Sequence, residues 1–234
     1  FPYSKLFKDS FLYALSDKVA ILIFGVILVL LSNFENFILE SPEFLMSKMV
    51  LFLCFLVLIL SILECGYSYR IKEETLRGSN NPPLFNKFKG ILHHGFKEFI
   101  IGSTYMVTCF LILWFLGLID THVQYSIFET IFALAILSTS MLIHQAGVIN
   151  LIYRGGKVTS AFNLIQIYKL IRDVGFVKVF IVFLFRLLCD YLILASIFNE
   201  GIFMENTIFT FALNLFVTPY LTIFSERLFM LSTL

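Results

Sequence analysis

Six long apolar runs divide this chain, and the lysines and arginines between them crowd onto alternate connections. The runs cover residues 19–34, 44–63, 99–119, 125–152, 176–198 and 208–224. Crossing the ~30 Å hydrocarbon layer takes about 20 helical residues, within a range of about 17 to 25. Lipid offers no partner for a backbone N–H or C=O, so a spanning segment must be a helix or part of a closed barrel. Barrel strands are about 9 to 11 residues long and alternate in polarity, which these runs do not. The pattern therefore predicts membrane helices. The first run is short unless it borrows Phe34 and Phe37 beyond Ser32 and Asn33, and the fourth is long enough to leave the membrane. Composition agrees: charged residues make up 14% of the chain where soluble domains hold about 25%, and the mean hydropathy is +0.91.

Sidedness gives orientation. Of the 17 basic residues, Lys5, Lys8 and Lys18 precede the first run. Arg70, Lys72, Arg77, Lys87, Lys89 and Lys97 follow the second, Arg154, Lys157, Lys169, Arg172 and Lys178 follow the fourth, and Arg227 follows the sixth. Only Lys48 lies on the other side, and Arg186 sits inside the fifth run. The opposite connections carry Glu35, Glu40, Glu43, Asp120, Glu200 and Glu205. By the positive-inside rule both termini are expected in the cytoplasm, with the chain a single six-span domain over 1–234 in the cell membrane. No small-x-small cleavage site follows Leu31, so the first run is expected to be a retained anchor rather than a signal peptide.

The two long inner connections resemble each other. Gly66 and Gly147, expected as structural turns, mark where each leaves the membrane, and each then meets a further turn. The first turn contains Gly78 and Pro83, the second Gly155 and Gly156. An amphipathic segment follows, at 84–98 with Lys87, Lys89 and Lys97 on its polar face, and at 158–173 with Lys169 and Arg172, Lys178 lying just beyond. Gly95-Phe96 and Gly175-Phe176 close the two copies, with Gly95 and Gly175 also expected as turns. Each segment either lies at the cytoplasmic interface or caps the bundle. The copies point the same way, which makes a weak parallel repeat. The expected fold is an all-α integral membrane protein with six transmembrane helices and two interfacial amphipathic helices on the cytoplasmic side.

Gly66-Tyr67, Arg70, Gly78, Pro83-Leu84-Phe85, Gly95-Phe96-Lys97, Ala161-Phe162 and Gly175 together resemble the multi-spanning membrane-protein family catalogued as domain of unknown function 4013, chiefly archaeal and bacterial. The resemblance covers the chain from about Asp9 to its end. Leu84 stands where the family usually carries an acid, and Tyr13-Ala14-Leu15-Ser16-Asp17 matches the family's opening only loosely. The family implies no activity, cofactor or catalytic residue.

The strongest functional pointer is Arg186, with Asp190 one turn later. Counted from Lys178 it lies ~12 Å deep, and a charge at a helix centre costs about 2.5 to 3.5 kcal/mol on insertion scales. Thr108, Ser138, Thr139, Ser140 and Asn214 count to a similar depth, so a mid-membrane polar cluster is expected. It is either a solute or ion site, or a pair that neutralises itself beside a helix-bonding Asn214. His93 and His94 diverge by about 100° on a helix, and neither His122 nor His144 has a partner at ligand spacing. Glu64 and Glu129 read as snorkelling or helix-pairing acids. Cys54, Cys65, Cys109 and Cys189 have no redox or metal spacing, Cys65 being the one placed for acylation at the interface. The sequence thus predicts no catalytic residue, no cofactor, no metal and no nucleic-acid partner. It predicts a non-enzymatic scaffold or accessory subunit, with a small-solute or ion transporter as the alternative. The expected partners are anionic lipid head groups, and a protein partner or a second copy of the chain.

Overall fold

The computed structural model describes residues 3–40, 48–119, 126–197 and 211–234, all-α and without a strand among them. Their helices are α1 (Tyr3–Leu15), α2 (Lys18–Glu40), α3 (Lys48–Leu76), α4 (Phe88–Phe115), α5 (Ile127–Tyr153), α6 (Leu164–Val174), α7 (Phe176–Ile197) and α8 (Thr218–Ser232). A 3-10 turn at Val158–Phe162 precedes α6, and a π-helical turn at Leu213–Val217 leads into α8. The helices α2, α3, α4 and α5 are long and apolar enough to cross a membrane. Within α7 lie Lys178, Arg186 and Asp190. The first residues of the sixth expected run fall outside the described residues, as do Glu43, Asp120, His122, Glu200 and Glu205. The chain divides into two compact units: Phe1–Phe96 with Val174–Leu234, and Lys97–Asp173.

In the first unit, Asp17 starts α2 by accepting from the backbone N–H groups of Val19 and Ala20 at 2.9 and 3.0 Å, the usual work of an N-cap. The first run is longer than hydropathy suggests. Ser32 Oγ and Asn33 Nδ2 both donate to the Val29 carbonyl, so the two polar residues are satisfied by their own helix and α2 continues to Glu40. Helix α3 runs 29 residues, about 44 Å at 1.5 Å per residue. Its burial is lopsided: Met49, Leu51, Phe52 and Phe55 are exposed, whereas Leu63, Gly66, Tyr67, Tyr69, Ile71, Lys72 and Thr75 are buried. The core of this unit thus gathers around the basic end of α3, where α8 packs on α1, α3 and α7.

Three expected turns are instead helix interiors. Gly66 lies inside α3, Gly95 inside α4 and Gly147 inside α5. At Gly66 a Cβ would strike the Ile91 carbonyl oxygen, and at Gly95 one would strike the carbonyl oxygen of Ile62. The two glycines face each other where α3 crosses α4, and small residues are what allow backbones to come this close. At Gly147 a Cβ would lie 2.6 Å from the Ala161 carbonyl oxygen, where the 3-10 turn folds back on α5. Gly78, Gly155, Gly156 and Gly175 do lie at turns, with φ of 78°, 68°, 82° and 105°, and Pro83 sits in the non-helical link between α3 and α4.

The two amphipathic segments also part company. Residues 84–98 do not form a separate helix: after an irregular stretch, α4 begins at Phe88 and continues unbroken to Phe115. Phe85, in that irregular stretch, stacks on Tyr67 at 4.2 Å, with Phe24 beyond. Residues 158–173 divide into the 3-10 turn and the separate helix α6. Asn163 caps α6 by accepting from Gln166 N–H. The repeat therefore ends differently in its two copies, straight through Gly95 and broken at Gly175.

If the glycine crossing sets the α3–α4 spacing, Gly66→Ala lowers the thermal unfolding midpoint in detergent by an amount equivalent to the about 1 to 3 kcal/mol of an overpacked contact. Gly90→Ala is the control, because its Cβ meets only Lys87 Cβ at 3.9 Å. Equal midpoints for the two variants would show that the crossing tolerates a methyl group.

Candidate functional site

The buried face of α7 repeats every three or four residues through Val179, Val182, Phe183, Arg186 and Cys189. Arg186 thus shares the stripe that packs inward. Its guanidinium donates to both carboxylate oxygens of Glu226 on α8, Nη1 to Oε2 at 2.8 Å and Nη2 to Oε1 at 2.7 Å. The same Oε2 lies 3.2 Å from Lys72 Nζ on α3. Asp190 approaches Arg186 Nε more loosely, at 3.5 Å. Exposure grades the four: Lys72 is 1% exposed, Glu226 3% and Arg186 7%, while the Asp190 side chain keeps 33%. Two cations and two carboxylates sum to zero.

The main partner of Arg186 is therefore Glu226, not Asp190 as the sequence suggests, and Lys72 joins them. This bears on depth. Counted from Lys178, Arg186 is ~12 Å inside the fifth run, yet counted from Leu63, Lys72 is about 14 Å beyond the second. A shared carboxylate puts them at one level. The burial of α3 and α8 around that level places it in the core at the basic end of the helices.

Arg227, the neighbour of Glu226, is also drawn inward. Its Nη1 donates to Thr75 Oγ1 at 3.1 Å and to the Ser79 carbonyl at 2.8 Å, and its guanidinium lies 4.2 Å from the centre of the Tyr13 ring. Burial pushes the Tyr13 phenol up to about 12, so it meets the cation as a neutral ring, the usual partner in a cation–π contact. Arg70 Nη1 donates to the Leu84 carbonyl at 2.9 Å. Beside it Asp17, Glu74, Lys87 and Pro83 line a polar cleft of about 390 Å³.

The other residues expected at the level of Arg186 bond elsewhere. Asn214 lies in the π-helical turn and accepts from Thr218 Oγ1 at 3.3 Å. In the second unit, Thr108 Oγ1 donates to the Thr104 carbonyl and Thr139 Oγ1 to that of Ala135. Ser140 Oγ donates to the Tyr105 carbonyl at 3.4 Å, and Ser138 is half-buried on α5. That unit is held by Asn150, whose Nδ2 reaches the Ser160 carbonyl at 2.8 Å and Gln166 Oε1 at 3.2 Å. Tyr105 Oη donates to the Ala161 carbonyl at 2.8 Å. Among the expected interfacial cations, Lys87, Lys89, Lys169 and Arg172 are exposed and Lys97 and Lys178 half-buried, with Lys97 Nζ on the Gly156 carbonyl at 3.2 Å. His94 stacks on Tyr69 at 4.5 Å. Glu129 forms a capping box with Ser126 at the start of α5, which replaces the snorkelling role expected of it.

Sequence reasoning missed Lys72, Glu226, Arg227 and Asn150 as buried residues. One signal was present for Glu226 and Arg227: Ser225-Glu226-Arg227 stands between Ile223-Phe224 and Leu228-Phe229-Met230, an apolar setting that suits a packed helix.

Removing one member of a buried ion cluster strands the others, at about 3 to 5 kcal/mol. Glu226→Gln is accordingly expected to abolish a cooperative melt or lower it far more than Asp190→Asn, whose partly exposed contact is worth about 1 kcal/mol or less. Thermal unfolding in detergent ranks the two, and a larger loss for Asp190→Asn would mean that Glu226 is not the central counter-ion.

No curated protein and no solved structure was found to match the chain. The family model of DUF4013, proteins of unknown function, matches residues 49–199, well over half of the chain and less than the reach from about Asp9 to the end suggested by the motif residues. Gly66-Tyr67, Pro83-Leu84-Phe85 and Gly175 all fall within the match. The chain belongs to the DUF4013 family.

Proposed function

We propose that the protein is a non-enzymatic scaffold or accessory subunit of the cell membrane, spanning it six times with both termini in the cytoplasm and presenting α6 to anionic lipid or to a partner at the inner surface. The observation that carries this is α6 itself. It leaves Leu164, Ile165 and Tyr168 exposed beside exposed Lys169 and Arg172, the combination that suits an interfacial helix. Its one ion pair, Arg172 with Asp173 at 3.2 Å, is solvent-exposed on both sides and competes little with a phosphate. The charge quartet points the same way, since cations already held by Glu226 and Asp190 offer little to a passing solute.

One observation favours transport instead. Asn214 occupies a π-helical turn, a distortion frequent at functional sites, and Asp190 keeps part of its side chain exposed. A transporter requires that Asp190→Asn change solute or ion flux in reconstituted vesicles, whereas a scaffold leaves flux at the background of empty vesicles.

Orientation is tested in a cysteine-free background. A membrane-impermeant maleimide applied to intact cells should label Gln124→Cys and spare Lys169→Cys, and the reverse pattern would invert the proposed topology. For α6, each cation near an anionic surface contributes about 1 kcal/mol. Lys169→Gln with Arg172→Gln should therefore cut the enrichment of anionic phospholipid around the reconstituted protein several-fold, and unchanged enrichment refutes lipid presentation by α6. For the scaffold role, cross-linking in native membranes should give a discrete adduct with itself or a fixed partner; a chain that stays monomeric contradicts it.

A further inference from the structure

In the second unit α4 and α5 stand side by side, meeting near mid-helix through the Ser140 to Tyr105 hydrogen bond and through Gly102, whose missing Cβ would come 3.3 Å from His144 Nε2. From there toward the opposite ends of the helices they enclose a groove of about 550 Å³, within the about 300 to 1,000 Å³ of small-molecule sites. One wall is formed by Tyr105, Cys109 and Ile112 of α4, and the other by Phe132, Ile136 and Ile143 of α5. Between them the floor is low because Ala135 and Thr139 are small.

The chemistry of the walls selects an apolar guest. Four hydroxyls line it, and each donates to a backbone carbonyl: Thr108 and Thr139 to their own helices at 2.8 and 2.7 Å, Tyr105 to Ala161 at 2.8 Å and Ser140 to Tyr105 at 3.4 Å, so they do not recruit a polar solute. The length of the groove selects among apolar guests. From Phe132 to Ile143 it follows α5 for about 16 Å, close to half of the ~30 Å hydrocarbon layer and hence to the depth of one leaflet. A second transmembrane helix would ask for a contact along the whole layer. The groove also ends in the right place: Leu164, the first residue of α6, belongs to its lining, and Lys169 and Arg172 on that helix are exposed to meet a phosphate.

We propose that this groove holds one acyl chain of a membrane phospholipid, with the head group at the level of α6. The proposal rests on the membrane reading above, and a separate readout tests that reading: a chain released from membranes by carbonate refutes it outright. For the groove, the full chain is purified in mild detergent, stripped by prolonged gel filtration, and its retained phospholipid counted per chain by phosphate assay and native mass spectrometry. The wild type should keep a stoichiometric phospholipid. Ala135→Phe and the milder Thr139→Leu fill the floor and should lose most of it while eluting as monodisperse protein, whereas Leu134→Phe, on an exposed position outside the groove, should keep it. Equal retention in filled and wild-type grooves overturns the proposal. So does a wild type that retains no lipid, which needs no variant to interpret, or one that is lipid-free and dimeric, which would give the groove to a second copy.

Discussion

One carboxylate ties the first unit together. Glu226 of α8 accepts from Arg186 of α7 through both oxygens and from Lys72 of α3 through one, so three helices distant in sequence converge on a single buried acid. Apolar packing alone specifies their contact poorly, because helices that are apolar on most faces can rotate against one another at little cost. A charge cannot be rotated out: one turn of misregister would leave Lys72, Arg186 or Glu226 in hydrocarbon without a counter-ion. Buried ion pairs often add little net stability over apolar residues of the same shape. Here the cluster joins α3, α7 and α8 at one point, with two cations facing two carboxylates.

Close backbone contact supplies the other constraint, and it operates in both units. The α3–α4 crossing depends on Gly66 against Gly95, and the folded-back 3-10 turn depends on Gly147 against Ala161. In each case a hydrogen-bonding or stacking residue lies nearby: Tyr67 against Phe85 in the first unit, Asn150 to Ser160 in the second. Both units are therefore packed most tightly at the basic ends of their helices, while Phe128, Ile131 and Leu134 of α5 and Phe52 and Phe55 of α3 remain exposed. Exposed apolar surface on that scale calls for a lipid environment rather than water.

The sequence made the long helices legible because length and hydropathy are local properties. It concealed the continuation of α2, since Ser32 and Asn33 look like breaks until their side chains are seen to bond the Val29 carbonyl. It misdirected at Gly66, Gly95 and Gly147, because a glycine that permits a turn and one that permits a close crossing are the same letter. The difference depends on Ile91, Ile62 and Ala161, none of them adjacent. Arg186 was recognisable as a costly charge needing a partner, but the nearest acid in sequence, Asp190, is the weaker one. Its strong partner is forty residues away, in a segment that sided charge counting assigns to the tail. That counting treats every Lys and Arg between runs as surface, and Lys72 and Arg227 are core.

The differing fates of the two amphipathic segments follow from how each is anchored. In the first, Phe85 is drawn into the Tyr67 stack and Gly95 is clamped against α3, so residues from Phe88 onward have no freedom to diverge from the span and α4 runs straight. In the second, Asn150 and Tyr105 hold the 3-10 turn by its backbone carbonyls at Ser160 and Ala161, Asn163 starts a fresh helix, and Gly175 at φ 105° ends it before α7. Only this second arrangement gives an amphipathic helix with its own direction. The pair of long basic connections is thus one sequence design used in two ways, as the start of a continuous helix in α4 and as a separate helix in α6.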